Sequence, residues 1–260
     1  MDTNVFLQHA KIEMIHWWFI GRRRILLALL DGLRLSQNDL IVDVGCGTGG
    51  NTSFIANNYN CFGIDPSSIA IEFARRLYPD TRFVEGTFPD AMTKDIGRPT
   101  VYLLLDILEH IEEDQQFLSS VIEHAQPGSY IIITVPAKKN LWSKHDEIAH
   151  HLRRYEIDEL QKVWKGMPVS CQLLTSMNTR LYRLVQIIRM LNKRLGITVG
   201  RDKAGTDLDV PFKPINYFLA KIFGGEAKSI LQRFNKSENH YGPLGVSLLA
   251  ILKKHEMANN

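Results

Sequence analysis

Cysteine is scarce in this 260-residue sequence, which has only Cys46, Cys61 and Cys171. Their odd number and wide spacing match neither a disulfide framework nor a zinc site, so we expect free thiols, a cytoplasmic location and no bound metal. Charges interrupt the longest apolar runs well short of about 20 residues, so no membrane-spanning helix is expected. Low-complexity tracts and a signal-peptide core are also lacking, which predicts a folded protein that keeps its N-terminus.

A strong net charge is also lacking, since 31 basic and 28 acidic residues leave a formal charge of +3. The basic excess is local, because residues 176–203 hold seven Arg or Lys and one acidic residue. This stretch has the pattern of an amphipathic helix without interleaved exposed aromatics, so no nucleic-acid partner is expected. Its apolar stripe predicts either packing, as a lid over the site or a homodimer contact, or docking on an anionic membrane surface.

Short apolar runs alternate with helix-like segments, from DLIVDVG near residue 39 to GVSLLAILKK near the C-terminus. The alternation predicts an α/β fold with a Rossmann-like, mostly parallel seven-stranded sheet and helices on both faces. Helix starts are predicted at Asp65-Pro66-Ser67 and at Asp114, whose short polar side chains can cap free N–H groups. The strands at 169–175 and 245–252 are expected to pair at the sheet edge, with a helical insertion between them.

The run DLIVDVGCGTGGN places Gly45, Gly47 and Gly49 between the first strand and its helix. Glycines there allow a tight turn and let backbone N–H groups approach a nucleotide-like ligand. A literal G-x-G-x-x-G pattern, with Asp65 twenty positions after Gly45, would also fit a dinucleotide. Asp43 favours a cationic ligand instead, because a carboxylate at this strand end would repel a pyrophosphate.

Four motifs follow one another in order: VDVGCGTG, GIDPS, EGTFPD and LLLDILEHIEED. Together they resemble the class I S-adenosylmethionine-dependent methyltransferases across residues 40–135. The stretches HWWFIGRRRIL, LWSKHDEIAHHLRRY and PLGVSLLAILKK are similar to one subgroup of that family, often associated with sugar, glycan and lipid-linked biosynthesis. The resemblance implies S-adenosyl-L-methionine as the cofactor and methyl transfer as the reaction.

The resemblance also implies which residues contact each part of the cofactor. The three glycines would line its methionine part, Asp65 would accept both ribose hydroxyls, and residues 86–88 would flank the adenine. Trp18 and Arg22 would form a lid that excludes water and meets the cofactor's carboxylate, or would only pack on the core. The predicted cofactor-binding residues are Asp43, Gly45, Cys46, Gly47, Gly49, Asp65, Pro66, Gly86, Thr87, Phe88, Asp106, Trp18 and Arg22.

The segment LWSKHDEIAHHLRRY follows the fifth strand and contains three of the nine histidines. Ligands of open α/β sheets bind at the carboxyl ends of the strands, so this segment is predicted to form a substrate wall. Methylation of a hydroxyl needs a base. The predicted catalytic residues are His145, Asp146, His151 and His110, and the predicted substrate-binding residues are Trp142, Arg153, Arg154 and Tyr155. His145, Asp146 and His151 would also suit a divalent metal, although none is predicted.

We therefore predict a cytoplasmic methyltransferase that acts on a hydroxyl of a small or lipid-linked saccharide-type acceptor. Peripheral contact with the inner membrane face is an open alternative for the insertion. An RNA methyltransferase and a non-catalytic cofactor-binding module are the competing functions. The expected single domain comprises an N-terminal helical lid (1–35), a cofactor-binding core (36–175), a helical insertion (176–242) and a last strand (243–255).

Overall fold

The computed structural model describes residues 3–93, 96–195, 208–236 and 243–256. The strands are β1 (Leu40–Val44), β2 (Asn60–Asp65), β3 (Arg82–Glu85), β4 (Val101–Leu105), β5 (Tyr130–Pro136), β6 (Val169–Met177) and β7 (Ser247–Lys254). The helices are α1 (Thr3–Ile12), α2 (Trp17–Gly32), α3 (Gly50–Ala56), α4 (Ser68–Leu77), α5 (Asp114–His124), α6 (Lys144–Ile148), α7 (Ile157–Val163), α8 (Tyr182–Leu195), α9 (Lys213–Gly224) and α10 (Ala227–Asn235).

The seven strands form one sheet with the order β3-β2-β1-β4-β5-β7-β6. Strands β1 to β5 pair in parallel, so that Val42 lies opposite both Phe62 and Tyr102. Strand β7 lies between β5 and β6 and is antiparallel to both. The predicted α/β, Rossmann-like, mostly parallel sheet is confirmed, and the carboxyl ends of β1, β2, β4 and β5 meet at one edge.

Helices cover both faces of the sheet, as its almost entirely apolar strands require. On one face, α5 and α7 contribute Leu118 and Leu160 to a core that includes Tyr102 from β4. On the other face, α2 and α9 contribute Leu26 and Phe223 to a second core. Within the described ranges, no helix combines the length and apolarity needed to cross a membrane.

The helical insertion differs in detail from its sequence pattern. Strand β6 continues to Met177, and α8 begins only at Tyr182. The second predicted helix is split into α9 and α10, since α9 ends at Gly224 with Gly225 as its C-cap. The adjacent Glu226 is buried, and its carboxylate accepts hydrogen bonds from Arg180 N at 2.9 Å and Thr179 Oγ1 at 3.1 Å. Of the loop predicted at 200–214, residues 200–207 lie outside the described residues, residues 208–212 have no regular secondary structure, and the last two belong to α9.

One of the two predicted helix caps is wrong. Ser67 caps α4 as expected, since its hydroxyl accepts from Ala70 N at 3.3 Å. Asp114 instead begins α5 as its first residue, and its carboxylate accepts from the Tyr155 hydroxyl at 2.6 Å and from Arg153 at 3.0 Å. A long-range pair of donors therefore displaces the local cap.

Candidate cofactor and acceptor site

A cavity of about 690 Å³ opens at the carboxyl edge of the sheet. The glycine loop and the residues that follow β2 and β3 form what we call the cavity floor, at 45–49, 65–67 and 86–88. Helices α1 and α2 close the cavity from one side, and residues after β4 and β5 close it from the other. Sequence-distant segments thus enclose one space large enough for a cofactor and an acceptor.

The glycine loop owes its shape to three left-handed residues, each with a different neighbour. Gly45 has φ 72°, and a Cβ there would lie 2.4 Å from Ile107. Gly49 has φ 88°, and a Cβ there would collide with the Phe83 ring. Gly47 has φ 55°, and a Cβ there would meet nothing within 4 Å. Gly45 and Gly49 are therefore needed for packing, whereas Gly47 leaves backbone open to the cavity.

Asp65 ends β2 at the cavity floor and is 8% exposed. Its Oδ2 accepts from Gly47 N and its Oδ1 from Ser67 N, both at 2.9 Å. Burial raises the pKa of this carboxyl above its ordinary value. A carboxylate has about four acceptor positions, so these two bonds leave capacity for hydroxyl donors from a ligand.

Eleven of the thirteen predicted cofactor-binding residues line the cavity, including Cys46, Pro66, Gly86 and Thr87. Phe88 lines it too, and also packs edge-on against Tyr102 in the core. The remaining two, Asp43 and Gly49, lie outside the lining. Asp43 is buried behind the loop, where it accepts from Thr52 Oγ1 at 2.6 Å and burial raises its pKa to about 6. Asp43 therefore does not contact the cavity, and it could repel a pyrophosphate only from behind the glycine loop.

The predicted lid residues lie over the cavity. Arg22 is 4% exposed, its guanidinium lies 4.2 Å from the Trp18 ring centroid, and it forms an ion pair with Asp106. Asp106 follows β4 with φ 58°, and its Oδ1 accepts from Thr134 Oγ1 at 3.1 Å. This conformation is rare outside glycine and is typical of functional sites. The ion pair joins the lid to the sheet edge.

Three further lid residues line the cavity but are not among the predicted site residues: His9, Glu13 and His16. Glu13 accepts from Thr48 Oγ1 at 2.7 Å and from Tyr78 Oη at 2.9 Å, so it ties the lid to the glycine loop. Burial lowers the pKa of His9 to about 3 and that of His16 to about 4. The apolar neighbours of these polar residues made them look like ordinary helix positions.

Three predicted catalytic histidines, His110, His145 and His151, line the cavity together, and we call them the histidine wall. The His151 ring centroid lies 4.9 Å from that of His110 and 6.0 Å from that of His145. Burial, followed by the nearby His151, lowers the pKa of His110 to about 4. The wall brings together residues that lie about 40 positions apart in the chain.

Asp146 lies behind this wall and does not line the cavity. It is fully buried, and its Oδ1 accepts from His151 Nδ1 at 2.9 Å and from Arg154 Nε at 2.8 Å. Burial would raise its pKa, but the His151 hydrogen bond and the Arg154 and Arg189 charges bring the pKa below its ordinary value. Asp146 is therefore placed to orient His151, whereas the sequence pattern favours the adjacent His145 as its partner.

Only one of the four predicted substrate-binding residues, Arg154, lines the cavity. Arg153 pairs with Asp114 at 3.0 Å, and Tyr155 is buried with its hydroxyl on the same carboxylate. Trp142 is 36% exposed and lies outside the lining. Arg153 and Tyr155 thus fix the segment to α5 in this structure.

Several buried polar atoms at the cavity have no hydrogen-bond partner among the described residues. They are Arg22 Nε, Asn51 Oδ1, both carboxylate oxygens of Glu109, and Oδ1 and Nδ2 of Asn178. An unsatisfied buried polar atom costs about 1–3 kcal/mol, so their presence around one cavity indicates a polar ligand. Asn178 is not among the site residues predicted from the sequence. Its φ of 58° shows that its backbone has a left-handed conformation, which is uncommon for residues other than glycine.

The fold and the cavity place this chain in the class of Rossmann-like proteins that bind a nucleoside cofactor beyond the first strand. The profile of the "Methyltransferase domain" family matches residues 19–181, and the chain belongs to that family. Its class I members use S-adenosyl-L-methionine, so the sequence-based assignment of family and cofactor is confirmed.

Curated relatives include a norajmaline N-methyltransferase of Rauvolfia serpentina, 29% identical over 50% of this chain and 46% of that protein. An O-methyltransferase of Pyrenophora dematioidea is 27% identical over 72% of this chain and 70% of its own. The chain spans about a third to a half of the length of the first curated relatives that it matches. The plantazolicin methyltransferase BpumL, solved with SAH, has a TM-score of 0.57 at 14% identity, over 96% of this chain and 88% of that one. This likeness concerns the fold.

The residues present fit S-adenosylmethionine. The space above Gly47 is open, and the Asp65 carboxylate retains acceptor positions. Residues 86–88 close the floor beyond Asp65, where Gly86 N donates to Asp65 O at 3.0 Å. The floor would therefore hold the nucleoside, and the Arg22 and Asp106 charges lie at its lid side.

Proposed function

We propose that this protein methylates a hydroxyl oxygen of a small saccharide-type acceptor, either free or linked to a lipid. The observation that carries the proposal is the histidine wall, which lines the cavity beyond the cofactor floor. When bound, the cofactor supplies a methyl group on a positively charged sulfur. A hydroxyl acceptor loses one proton as it is methylated, and an imidazole is the side chain best suited to receive a proton near neutral pH.

The base role is divided unequally among the three histidines. His110 has a pKa of about 4, so it is neutral at pH 7 but only a weak base. His151 is oriented by Asp146, and His145 lies beside it. We therefore assign proton removal to His151 or His145, and a hydrogen-bonding role to His110.

The acceptor would lie over β5, β7 and β6, because the cofactor floor uses the ends of β1, β2 and β3. The cavity lining on that side includes Arg154, Asn178, Arg189 and Ser247. The Asn178 side chain offers an NH₂ donor group and a carbonyl acceptor oxygen, which suits a ligand rich in hydroxyl groups. This polar lining supports a saccharide-type acceptor over a purely apolar one.

The lipid-linked form of the proposal rests on the insertion. On α8, the apolar residues Leu184, Ile187 and Met190 are 42–49% exposed, and the basic residues Arg183 and Lys193 are exposed beside them. Apolar burial and basic charge act together when a helix docks on an anionic membrane surface. We propose that α8 makes this contact, at the inner membrane face, and so brings a lipid-linked acceptor to the cavity.

Calorimetric titration with S-adenosylhomocysteine and with NAD tests the cofactor half of the proposal, since only the former should bind. Incubation of the protein with methyl-labelled cofactor and separate pools of soluble sugars, glycolipids and RNA tests the acceptor half. Label in a sugar or glycolipid pool supports the proposal, and label in RNA contradicts it. Cofactor binding with no label in any pool would favour a non-catalytic binding module.

A further inference from the structure

Glu109 is an unusual residue of the cavity. Its side chain is fully buried at the lining, and neither carboxylate oxygen accepts a hydrogen bond from any other described residue. Ligand atoms of Glu109, His110 and His151 lie within 4.8 Å of one another. Burial raises the pKa of the Glu109 carboxyl well above its ordinary value. The carboxylate form is therefore costly in this site unless a cation or a ligand donor compensates its charge.

Both histidines of this cluster also have a hydrogen-bond partner outside it. Nδ1 of His151 is bonded to Asp146 Oδ1 at 2.9 Å, which leaves Nε2 facing Glu109 Oε1 at 4.0 Å. The His110 ring is hydrogen-bonded to the backbone of His150. Histidines that bind metals are held in this way, through a carboxylate or a backbone carbonyl on the second ring nitrogen.

We propose that Glu109, His110 and His151 bind one divalent transition-metal cation whose free coordination positions face the cavity. Two imidazoles and one carboxylate on one side of an ion are an established ligand set for such metals. Two atoms bound on the same side of one ion at about 2.1 Å lie about 3.0–3.4 Å apart. The present separations within 4.8 Å would therefore have to shorten by at most about 1.8 Å, shared between two side chains. This ligand set differs from the His145, Asp146 and His151 set that the sequence suggests. Asp146 lies on the side of His151 that faces away from the cavity, whereas Glu109 lines the cavity.

The role of the ion rests on the proposed function. A cation at the histidine wall would bind the acceptor's hydroxyl oxygen and lower the pKa of that hydroxyl, as a Lewis acid does. The hydroxyl proton would pass to His145 or to water, and no oxidation or reduction is involved. His151 would then act as a ligand, which leaves His145 as the protein base.

The competing explanation is that Glu109 accepts a hydrogen bond from the acceptor hydroxyl without any ion. Titration with Co²⁺ in the absence of cofactor and acceptor separates the two. The protein is first stripped with a chelator, and binding is followed by calorimetry and by the visible absorption of bound Co²⁺. We expect one Co²⁺ per chain, with an absorption spectrum typical of nitrogen and oxygen ligands.

Three variants locate the site. Glu109→Gln keeps the shape of the side chain but removes its charge, and His151→Gln removes one ligand. Each should weaken Co²⁺ binding by more than about tenfold. His124→Gln is the matched control, because His124 lies outside the cluster, bonded to Tyr102, and its variant should bind Co²⁺ as the wild type does. Circular dichroism confirms that each variant is folded.

The proposal is overturned if the wild-type protein binds no Co²⁺ at up to about 1 mM, or if Glu109→Gln and His151→Gln bind it like the wild type. A parallel titration with S-adenosylhomocysteine keeps the two proposals apart. Normal binding of that compound without any Co²⁺ binding rejects the metal site alone. Failure to bind S-adenosylhomocysteine would instead reject the proposed function.

Discussion

The cavity floor and the histidine wall are built in different ways. The floor uses backbone groups and glycine conformations within a few residues of a strand end, such as Gly47 and Asp65. The wall uses side chains from two distant segments, held by a buried network around Asp146. A floor of this kind can serve many acceptors, whereas the wall is the part that can distinguish one acceptor from another.

The largest expected effect follows from breaking the wall's network. Asp146→Asn leaves the buried Arg154 without a counter-charge, and we expect a loss of about 3–5 kcal/mol in the free energy of unfolding. Urea denaturation followed by circular dichroism measures it. Asp158→Asn is the control, because its exposed pair with Lys162 at 3.7 Å should contribute nothing measurable. Equal stability of the two variants would contradict the network.

The same variant gives a pH test. The pKa of Asp146 is lower in the folded protein than its unfolded value of about 3.9. Its stabilisation should therefore be complete above about pH 5 and decline as the pH falls below about 4. The stability difference between wild type and Asp146→Asn should shrink over that range, and a difference independent of pH would contradict the assignment.

The next prediction distinguishes the histidine wall from the cavity floor by their effects on turnover and on cofactor affinity. His145→Ala and His151→Ala should each leave the affinity for S-adenosylhomocysteine within a few-fold, while at least one of them lowers turnover by about 100-fold. Turnover is measured with the acceptor pool that becomes labelled. Full turnover in both variants would remove the histidine wall from the reaction.

A smaller effect is expected at the floor. Asp65→Ala should weaken S-adenosylhomocysteine binding by at least about tenfold, or 1.4 kcal/mol, because charge-assisted hydrogen bonds are lost. Asp43→Asn is the matched control behind the loop, where an amide oxygen can still accept from Thr52. Calorimetry should find its affinity within a few-fold of wild type. Similar losses of affinity in both variants would show that the loss in Asp65→Ala comes from a general change of the floor and not from its contact with the ligand.

The smallest effect concerns the exposed face of α8, which lies away from the cavity-lining Arg189. Flotation with anionic liposomes should carry the protein at low salt and lose it toward several hundred millimolar salt. Ile187→Asp should abolish flotation, whereas Leu77→Asp, a change at an exposed apolar residue of α4, should not. No flotation of the wild type would favour a soluble acceptor and leave α8 as a lid or dimer contact.

Most residues predicted to bind the cofactor line the cavity, whereas most of those predicted to bind the substrate do not. The glycines, Asp65 and the strand alternation carry local signals, because turn geometry and strand burial depend on neighbouring residues. Tyr155, by contrast, was placed in the substrate site although its hydroxyl is bonded to Asp114, 41 positions away. Glu109 and Asn178 were overlooked for the same reason, since the lack of a partner becomes visible only when the surrounding chain is folded.

The position of β7 has a consequence for how the protein is made. During synthesis β7 is the last of the seven strands to emerge, yet it pairs with both β5 and β6. Until it arrives, the nascent chain presents open edges at the very strands that would carry the acceptor. Open edges of apolar strands template pairing with other chains. We therefore expect nascent chains that contain β6 but not yet β7 to be prone to aggregation and to be bound by chaperones.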